Sequence, residues 1–201
     1  MKTRMYIVRH GQTEWNVAHR MQGHHDAPLT VHGIQQVEAL AKRLHNVHWD
    51  KIFSSPSGRA VKTAEILRGS RHVPIVTTAA LKEIGLGAWE GQTREKVQAQ
   101  YPQENAAYWQ DPDHFVPPQG GETFHEVQQR VQEFLGQTLR QYAGQSILIV
   151  THTVPVKLLL AHFMQRDLRD LWQDPAVPPA SLTEIEIQPN CVQWYQTADI
   201  S

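Results

Sequence analysis

Two histidines in this chain each follow a short apolar run, and an arginine directly precedes the first of them. His10 follows the run 6–9, which ends in Arg9, and His152 follows the run 146–151. Such runs are typical of buried strands, and ligands of an open α/β sheet bind at the carboxyl ends of its strands. A neutral imidazole can attack phosphorus, and a guanidinium binds phosphate oxygens. We therefore expect an anion site that contains its own nucleophile.

Arg59 and His152 are both expected where a helix begins. Arg59 follows Ser57, which can cap a helix, and His152 ends the run 146–151. A cation at this end of a helix is disfavoured by the helix dipole unless an anion lies nearby. A solvated arginine and a neutral core histidine are the simpler alternatives. Together with His10, the two residues favour a shared anion site.

A glycine-rich segment at 81–91 carries two acids that could protonate a leaving group. Glu83 and Glu90 both lie in it, after a predicted strand at 73–76. An alkoxide that leaves phosphorus needs a proton, so a carboxylic acid near the histidines would complete the chemistry. The spacing alone does not choose between Glu83 and Glu90, and a solvated loop carboxylate is the alternative for either residue.

The hydrophobic pattern predicts the elements that must position these residues. Strands are expected at 5–10, 51–54, 73–76, 146–151, 182–187 and 192–195, and helices after Thr30 and Ser57, at 122–142 and after His152. Pro189-Asn190, between the last two strands, is typical of a hairpin turn. Strands that alternate with helices predict an α/β three-layer sandwich, which has a mostly parallel sheet, an antiparallel edge and helices on both faces.

Two segments, 11–28 and 100–121, carry glycine, proline and asparagine and are expected to be irregular. We expect one domain over 1–201, with 100–121 as a lid or loop insertion that holds at most short helices. This lid has no lysine or arginine, and its large aromatic residues are Tyr101, Tyr108, Trp109 and Phe115. It would suit an apolar substrate; the alternative is that the aromatic residues simply pack beneath a long loop.

The composition excludes several classes of partner. The formal net charge is −1, and the 19 Lys and Arg residues are scattered along the chain. We therefore expect no nucleic-acid partner and no binding to an anionic membrane. Cys191 is the single cysteine, so no internal disulfide can form, and no signal peptide or membrane-spanning apolar run is visible. These features predict a cytoplasmic protein, either a monomer or a homodimer.

Several short motifs together resemble the histidine phosphatase superfamily, in its phosphoglycerate mutase-like branch and closest to the broad-specificity phosphatases. The matching segments are 9–16, 29–33, 54–60, 83–84, 89–91, 120–123 and 151–152. The resemblance implies that His10 is the residue that becomes phosphorylated. It implies that Arg9, Arg59 and His152 complete the phosphate pocket and that Glu83, of the two acids, is the proton donor.

The resemblance also implies which residues contact the substrate. These are Thr13, Asn16, Gln22, Gly23 and Thr153. Thr153 is a departure, because many family members have glycine at this position. The departure affects how closely the backbone can approach the phosphate.

Hydrolysis of phosphomonoesters is the expected activity, with broad specificity and a preference for apolar or small monophosphates. Family mutases place an arginine directly after the acid, whereas this chain has Ile84. The alternatives are a phosphoglycerate mutase, a dedicated phosphatase for α-ribazole phosphate or a sugar phosphate, and a non-catalytic phosphate-binding module. No cofactor is expected. The best local metal candidate, His24-His25-Asp26, lacks the spacing of known zinc motifs, so no metal is expected.

Overall fold

The computed structural model describes residues 2–188 and 191–197. These residues form a sheet of six strands: β1 (Thr3–Arg9), β2 (Lys51–Ser54), β3 (Ile75–Thr77), β4 (Ser146–Thr151), β5 (Leu182–Gln188) and β6 (Cys191–Thr197). The spatial order is β3-β2-β4-β1-β5-β6. The strands from β3 to β1 are parallel, and β5 is antiparallel to both β1 and β6. The predicted sheet is confirmed, whereas the predicted turn at Pro189-Asn190 lies outside the described residues.

Helices cover both faces of this sheet, as predicted. They are α1 (Glu14–Val17), α2 (Val31–Arg43), α3 (Gly58–Arg68), α4 (Arg94–Gln100), α5 (Pro102–Gln110), α6 (Phe124–Gln141) and α7 (Thr153–Phe163). Tyr6 and Val8 of β1 pack with the apolar residues of α2 and α3, whereas Met5 and Ile7 pack with those of α6 and α7. Successive strand residues point to opposite faces, so β1 contributes to two cores and the three-layer arrangement follows.

None of the helices in the described ranges is long and apolar enough to cross a membrane. The longest of them, α6, is amphipathic, because it buries residues such as Val127, Val131 and Leu135 and exposes the opposite face. Thr123 caps α6 and Glu126 completes a capping box, which fixes where the helix begins. The observed helix lies within the predicted range 122–142.

The segment 11–28 is more ordered than the sequence indicates. It contains the one-turn helix α1, which Thr13 caps through a reciprocal pair of hydrogen bonds with Asn16. A side-chain amide at the third helical position can replace the usual glutamate of a capping box. The predicted strand at 73–76 is also shifted, because the observed β3 begins only at Ile75.

The segment 100–121 contains short helices, as expected, and its aromatic residues divide between two roles. α5 occupies nine of its residues, and a 3₁₀ turn follows at Pro112–His114. Tyr108 and Phe115 are buried in the core, whereas 37% of the surface of Trp109 remains exposed. Packing beneath a loop therefore accounts for some of these aromatics, but Trp109 is accessible to a ligand.

The carboxyl ends of β1, β2 and β4 meet at one edge of the sheet. The backbone N–H of His10, just after β1, donates to the carbonyl of Thr151 at the end of β4 (3.0 Å). The N–H of Ser55, just after β2, donates to the carbonyl of Val150 (2.9 Å). These hydrogen bonds bring His10, Ser55 and the N-terminus of α7 together at the edge where ligands of such sheets bind.

Candidate active site

His10 is buried at this edge and its ring has a defined tautomer. Its Nδ1 lies 2.8 Å from the backbone carbonyl of Gly11. A carbonyl can only accept, so Nδ1 carries the hydrogen and Nε2 holds the lone pair of the neutral imidazole. Burial, together with the charges of Arg59 and Arg9, lowers the pKa of His10 well below its usual value. His10 is therefore neutral near pH 7, as a nucleophile must be.

Arg9 is fixed beside His10 by a backbone acceptor. Its Nη1 donates to the carbonyl of Val177 (2.6 Å), while its buried Nε has no partner among the described residues. Burial lowers the pKa of Arg9 to about 10, with Glu83 acting in the opposite direction. The guanidinium therefore remains charged at neutral pH and keeps hydrogen-bonding capacity for a ligand.

Arg59, in the first turn of α3, is almost fully buried and is held by the loop 23–26. Nη1 donates to the carbonyl of His25 (2.7 Å) and to Oδ1 of Asp26 (2.8 Å), and Nη2 donates to the carbonyl of Gly23 (2.9 Å). Burial lowers the pKa of Arg59, and its hydrogen bond and attraction to Asp26 oppose that shift. The sequence predicts a bound anion near this helix terminus; the anion that the structure provides there is the side chain of Asp26, which the spacing did not reveal.

His152 lies against His10 with the ring centroids 5.1 Å apart. Its Nε2 is 2.7 Å from the hydroxyl oxygen of Ser55, and its Nδ1 has no partner among the described residues. Burial, followed by the charges of Arg59 and His10, lowers the pKa of His152 well below its usual value. His152 is therefore neutral in the free protein, and a bound anion would favour its protonated form.

Unpartnered polar atoms are concentrated around His10. Of seven buried side-chain polar atoms without a hydrogen bond in the described residues, four belong to this site: Nε of Arg9, Nε of Arg59, Nε2 of Gln22 and Nδ1 of His152. Buried polar groups are nearly always paired, and an unpaired one costs about 1–3 kcal/mol. Arg9, Arg59 and Gln22 also line one cavity, and this concentration of unpaired atoms fits the binding of an oxyanion.

Glu83 reaches the same site from the loop that follows β3. Its carboxylate accepts from the backbone N–H groups of Ile84 (2.9 Å), Thr153 (3.0 Å) and Val154 (3.1 Å), the last two in the first turn of α7. Burial raises the pKa of Glu83, although these hydrogen bonds and the two arginines oppose the shift. A raised pKa makes the protonated carboxyl more accessible, which a proton donor requires.

Glu90, which the residue spacing left as an alternative to Glu83, occupies a different position. Its carboxylate accepts from the backbone N–H groups of His24 (2.9 Å), His25 (2.9 Å) and Leu86 (3.0 Å). It therefore ties two loops together and does not line the cavity above His10. The geometry favours Glu83 as the acid that faces a substrate.

The cavity above His10 has a volume of about 340 Å³. Its lining includes most of the residues that the sequence singled out: Arg9, His10, Asn16, Gln22, Gly23, Arg59, Glu83 and Thr153. His152 and Thr13 are not part of the lining. Thr13 is fully buried, and its hydroxyl contacts Oε1 of Gln22 (3.3 Å), which leaves the amide nitrogen of Gln22 unpaired. Thr13 thus orients Gln22 and caps α1, where its side chain accepts from the N–H of Asn16, instead of facing the cavity.

Three further cations line the cavity and were not anticipated. Arg20 and Arg94 are exposed, whereas Lys157 is buried and donates to the carbonyls of Gln173 (2.6 Å) and Pro175 (2.9 Å). Two signals in the sequence were available. Arg94 opens a helix, as Arg59 does, and Lys157 lies four residues after Thr153 on the same helix, hence on the same face.

Apolar residues form the remaining wall of the cavity. Trp109 of the segment 100–121 lies 4.7 Å from Trp172, measured between ring centroids. The indole N–H of Trp172 donates to the carbonyl of Tyr108 (2.6 Å), which connects the segment 100–121 to the residues after α7. The rest of this wall comprises Met21, Leu86, Tyr108, Ala176 and Val177.

The triplet His24-His25-Asp26 uses its side chains in separate interactions. His24 lies near Glu122, His25 near Glu90, and Asp26 binds Arg59. Across 2–188 and 191–197, no group of three or more His, Cys, Asp or Glu residues is arranged to hold a metal ion.

Comparisons with known proteins agree with this architecture. A family model described as the histidine phosphatase superfamily (branch 1) matches residues 5–199. Among solved structures, YhfR of Bacillus stearothermophilus is 42% identical, with a TM-score of 0.93 over 99% of this chain and 98% of that one.

Two curated proteins are similar over most of their length. Phosphoserine phosphatase 1 of Hydrogenobacter thermophilus is 33% identical over 169 residues, which are 84% of this chain and 80% of that protein. Adenosylcobalamin/alpha-ribazole phosphatase of Escherichia coli K12 is 30% identical over 169 residues, or 84% of this chain and 83% of that protein. The resemblance carried by the short motifs is confirmed, and the chain belongs to branch 1 of the histidine phosphatase superfamily.

Proposed function

We propose that this chain is a phosphomonoesterase that forms a phosphohistidine on His10. The observation that carries the proposal is the set of unpartnered donors on Arg9, Arg59 and Gln22, together with the unpartnered Nδ1 of His152, around the neutral imidazole of His10. A phosphate group offers an acceptor for each of these donors and for Nδ1 of a protonated His152, and an electrophilic phosphorus for Nε2 of His10. The relatives named as phosphatases support the same class of reaction.

In the first half of the reaction, Nε2 of His10 forms a bond to phosphorus while the ester P–O bond breaks. The carbonyl of Gly11 accepts from Nδ1 (2.8 Å) and stabilises the positive charge that develops on the ring. The fixed guanidinium groups of Arg9 and Arg59 offset the negative charge on the phosphoryl oxygens. Glu83 gives its proton to the departing alkoxide, so the products are an alcohol and the phosphoenzyme.

In the second half, water attacks the phosphohistidine and the P–N bond breaks. The ionised carboxylate of Glu83 takes a proton from that water, which returns Glu83 to its acid form and His10 to the neutral imidazole. Inorganic phosphate then leaves. The reaction needs no group beyond those that line the cavity and support its lining, and the same carboxyl acts as acid and base in turn.

The cavity supports small or apolar monophosphates as the substrate class. The wall of Trp109 and Trp172 can bury an apolar group of the substrate. The residue directly after Glu83 is Ile84, which is buried in the core, so this position supplies no cation for a second anionic group. The exposed cations Arg20 and Arg94 favour a second candidate, a monophosphate that also carries a carboxylate. This second class includes phosphoserine and the phosphoglycerates on which a mutase acts. Phosphoserine also appears in the name of one relative.

The proposal includes the segment 100–121 as a lid within one domain, residues 1–201. Its support is that Tyr108 and Trp109 line the cavity and that Trp172 is hydrogen-bonded to this segment. We place the protein in the cytoplasm, because its single cysteine, Cys191, is exposed and free, as is usual in a reducing compartment. A monomer or a homodimer is the oligomeric state that we propose.

Trapping of the phosphoenzyme tests the proposed reaction. The wild-type protein, quenched during turnover of a labelled monophosphate, should carry label that is stable in base and lost in acid. His10→Ala should carry none and should have no turnover. Label of the same stability on His10→Ala would contradict the assignment. Transfer of the label to a second phosphate ester, in preference to water, would indicate a mutase.

A further inference from the structure

Arg130 of α6 uses every N–H of its guanidinium within the protein. Nε and Nη2 donate to the two carboxylate oxygens of Glu122 (3.1 and 3.0 Å). Nη1 donates to the carbonyls of Ala80 and Lys82 (both 2.8 Å), and Nη2 also donates to the carbonyl of Glu83 (3.0 Å). A guanidinium has five N–H donors, so none remains for a ligand. The residue therefore holds the backbone that carries Glu83.

Glu122 fixes the next part of the same loop, at Gly85. Its carboxylate accepts from the backbone N–H of Gly85 (2.7 Å), and its own backbone N–H donates to the carbonyl of Gly85 (2.8 Å). Burial would raise the pKa of Glu122, but hydrogen bonds from His24, Arg130 and Gly85 lower it to about 2. Glu122 is therefore ionised, and its charge is paired with that of Arg130.

His24 connects the same network to the loop that fixes Arg59. Its Nε2 lies 3.1 Å from the backbone carbonyl of Glu83 and 3.3 Å from Oε2 of Glu122. The preceding residue, Gly23, accepts from Nη2 of Arg59 (2.9 Å). The loop that carries Glu83 and the loop 23–26 that holds Arg59 thus share one set of polar contacts. These contacts lie on the side of the Glu83 loop that faces away from the cavity.

We propose that Arg130 is the positioning residue of the acid, because it fixes residues 80–83 against the rigid helix α6 with the Glu83 carboxyl at the N-terminus of α7. The inference rests on the proposed role of Glu83 as proton donor. Proton transfer needs the two heavy atoms within about 2.6–3.2 Å, and a displacement of about 1 Å can cost about a hundredfold in rate. Loss of the guanidinium frees three carbonyls and leaves Glu122 with an uncompensated charge.

The test compares leaving groups in the variant Arg130→Gln. An aryl phosphate such as 4-nitrophenyl phosphate has a good leaving group and needs little protonation, whereas an alkyl monophosphate depends on the acid. We expect kcat/KM, which reports the steps up to formation of the phosphoenzyme, to fall at least about tenfold more for the alkyl ester than for the aryl ester. Arg140→Gln, an exposed arginine on the same helix, is the matched control and should leave both rates unchanged.

Variants of Glu83 separate this inference from the proposed function. If Glu83→Gln lowers kcat/KM for both esters equally, the assigned acid is wrong, whatever Arg130 does, because kcat/KM excludes the later hydrolysis of the phosphoenzyme that is common to both esters. If Glu83→Gln slows the alkyl ester selectively and Arg130→Gln slows both equally or neither, only the positioning role is overturned. The double variant should lose no more selectivity than Glu83→Gln alone, because both changes act on one proton transfer.

A second variant covers the case in which Arg130→Gln does not fold. Glu122→Gln keeps the shape of the side chain and removes the charge that pairs with Arg130. We expect it to lower the alkyl rate selectively, in the same direction and by a smaller factor. A folded Glu122→Gln protein with unchanged selectivity between the two esters would refute the positioning role.

Discussion

The wall of Trp109 and Trp172 is expected to set the preference among monophosphates. The two rings lie 4.7 Å apart, and the hydrogen bond from Trp172 to the carbonyl of Tyr108 holds the arrangement before substrate binds. An aryl group that buries about 100 Å² of apolar surface against it gains about 2.5 kcal/mol at about 25 cal/mol per Å². This corresponds to a factor of about 60 in kcat/KM over a short alkyl ester that misses the wall.

The exposed cations of the cavity favour substrates with a second anionic group, but their effect on kcat/KM is smaller than that of the aromatic wall. Arg20 and Arg94 are both exposed, and an ion pair with an exposed side chain contributes about 0.2–1 kcal/mol, or at most about fivefold. Salt weakens such a pair further. Lys157 already donates to two carbonyls, so its ammonium is less free to bind a ligand. We therefore expect aryl monophosphates to exceed 3-phosphoglycerate in kcat/KM.

The assay measures kcat/KM for an aryl monophosphate, a short alkyl monophosphate and 3-phosphoglycerate at two ionic strengths. Trp109→Ala should lower the aryl value about tenfold or more and leave the alkyl value nearly unchanged, because it removes half of the wall. Arg94→Gln should lower only the phosphoglycerate value, by about two- to fivefold, and should weaken its salt dependence. Val116→Ala, an exposed lid residue that does not line the cavity, is the control. The reasoning is refuted if 3-phosphoglycerate exceeds the aryl ester at both ionic strengths.

Two further predictions concern stability and metals. The free energy of unfolding should fall as the pH drops below about 6.5, because burial lowers the pKa of His10 and His152 in the folded protein, whereas these histidines bind protons in the unfolded chain. Denaturant unfolding at pH 7.5 and 5.5 measures this change. The double variant His10→Asn/His152→Asn should lose the dependence on pH. Chelators should leave activity unchanged, because Arg9 and Arg59 supply the charge at the phosphoryl oxygens, and activity lost in EDTA and restored by a divalent ion would contradict this.

Local patterns in the sequence were sufficient for the sheet and for the position of His10 within it. The strand-end positions of His10 and His152 follow from β-branched runs, and parallel strands bring such ends together. The cation at the start of α3 predicted a bound anion near Arg59, whereas the partner that the structure provides is Asp26, 33 residues away in an irregular loop. No periodicity connects a loop carboxylate to a helix that follows it, so the pairing could only be found in three dimensions.

The side-chain composition of the segment 100–121 predicted that this segment contributes no cation, but it did not predict the charge of the whole cavity. The segment 100–121 lacks lysine and arginine, as the sequence shows, yet the cavity receives cations from Arg20, Arg94 and Lys157 outside it. Trp172, which completes the aromatic wall, also comes from a distant segment. Specificity was therefore harder to predict than the chemistry, because the wall is assembled from four separate parts of the chain.

The number of free guanidinium N–H groups separates Arg9 and Arg59, which we propose bind the phosphate, from Arg130, which holds the loop of Glu83. Arg130 pairs all five of its donors, so it gains nothing from a ligand and loses much if it moves. Arg9 and Arg59 are fixed through their Nη atoms, while the Nε of each is buried without a partner among the described residues. Each such donor costs about 1–3 kcal/mol that an oxyanion can recover, so the folded protein maintains unsatisfied hydrogen-bonding capacity where negative charge must be held.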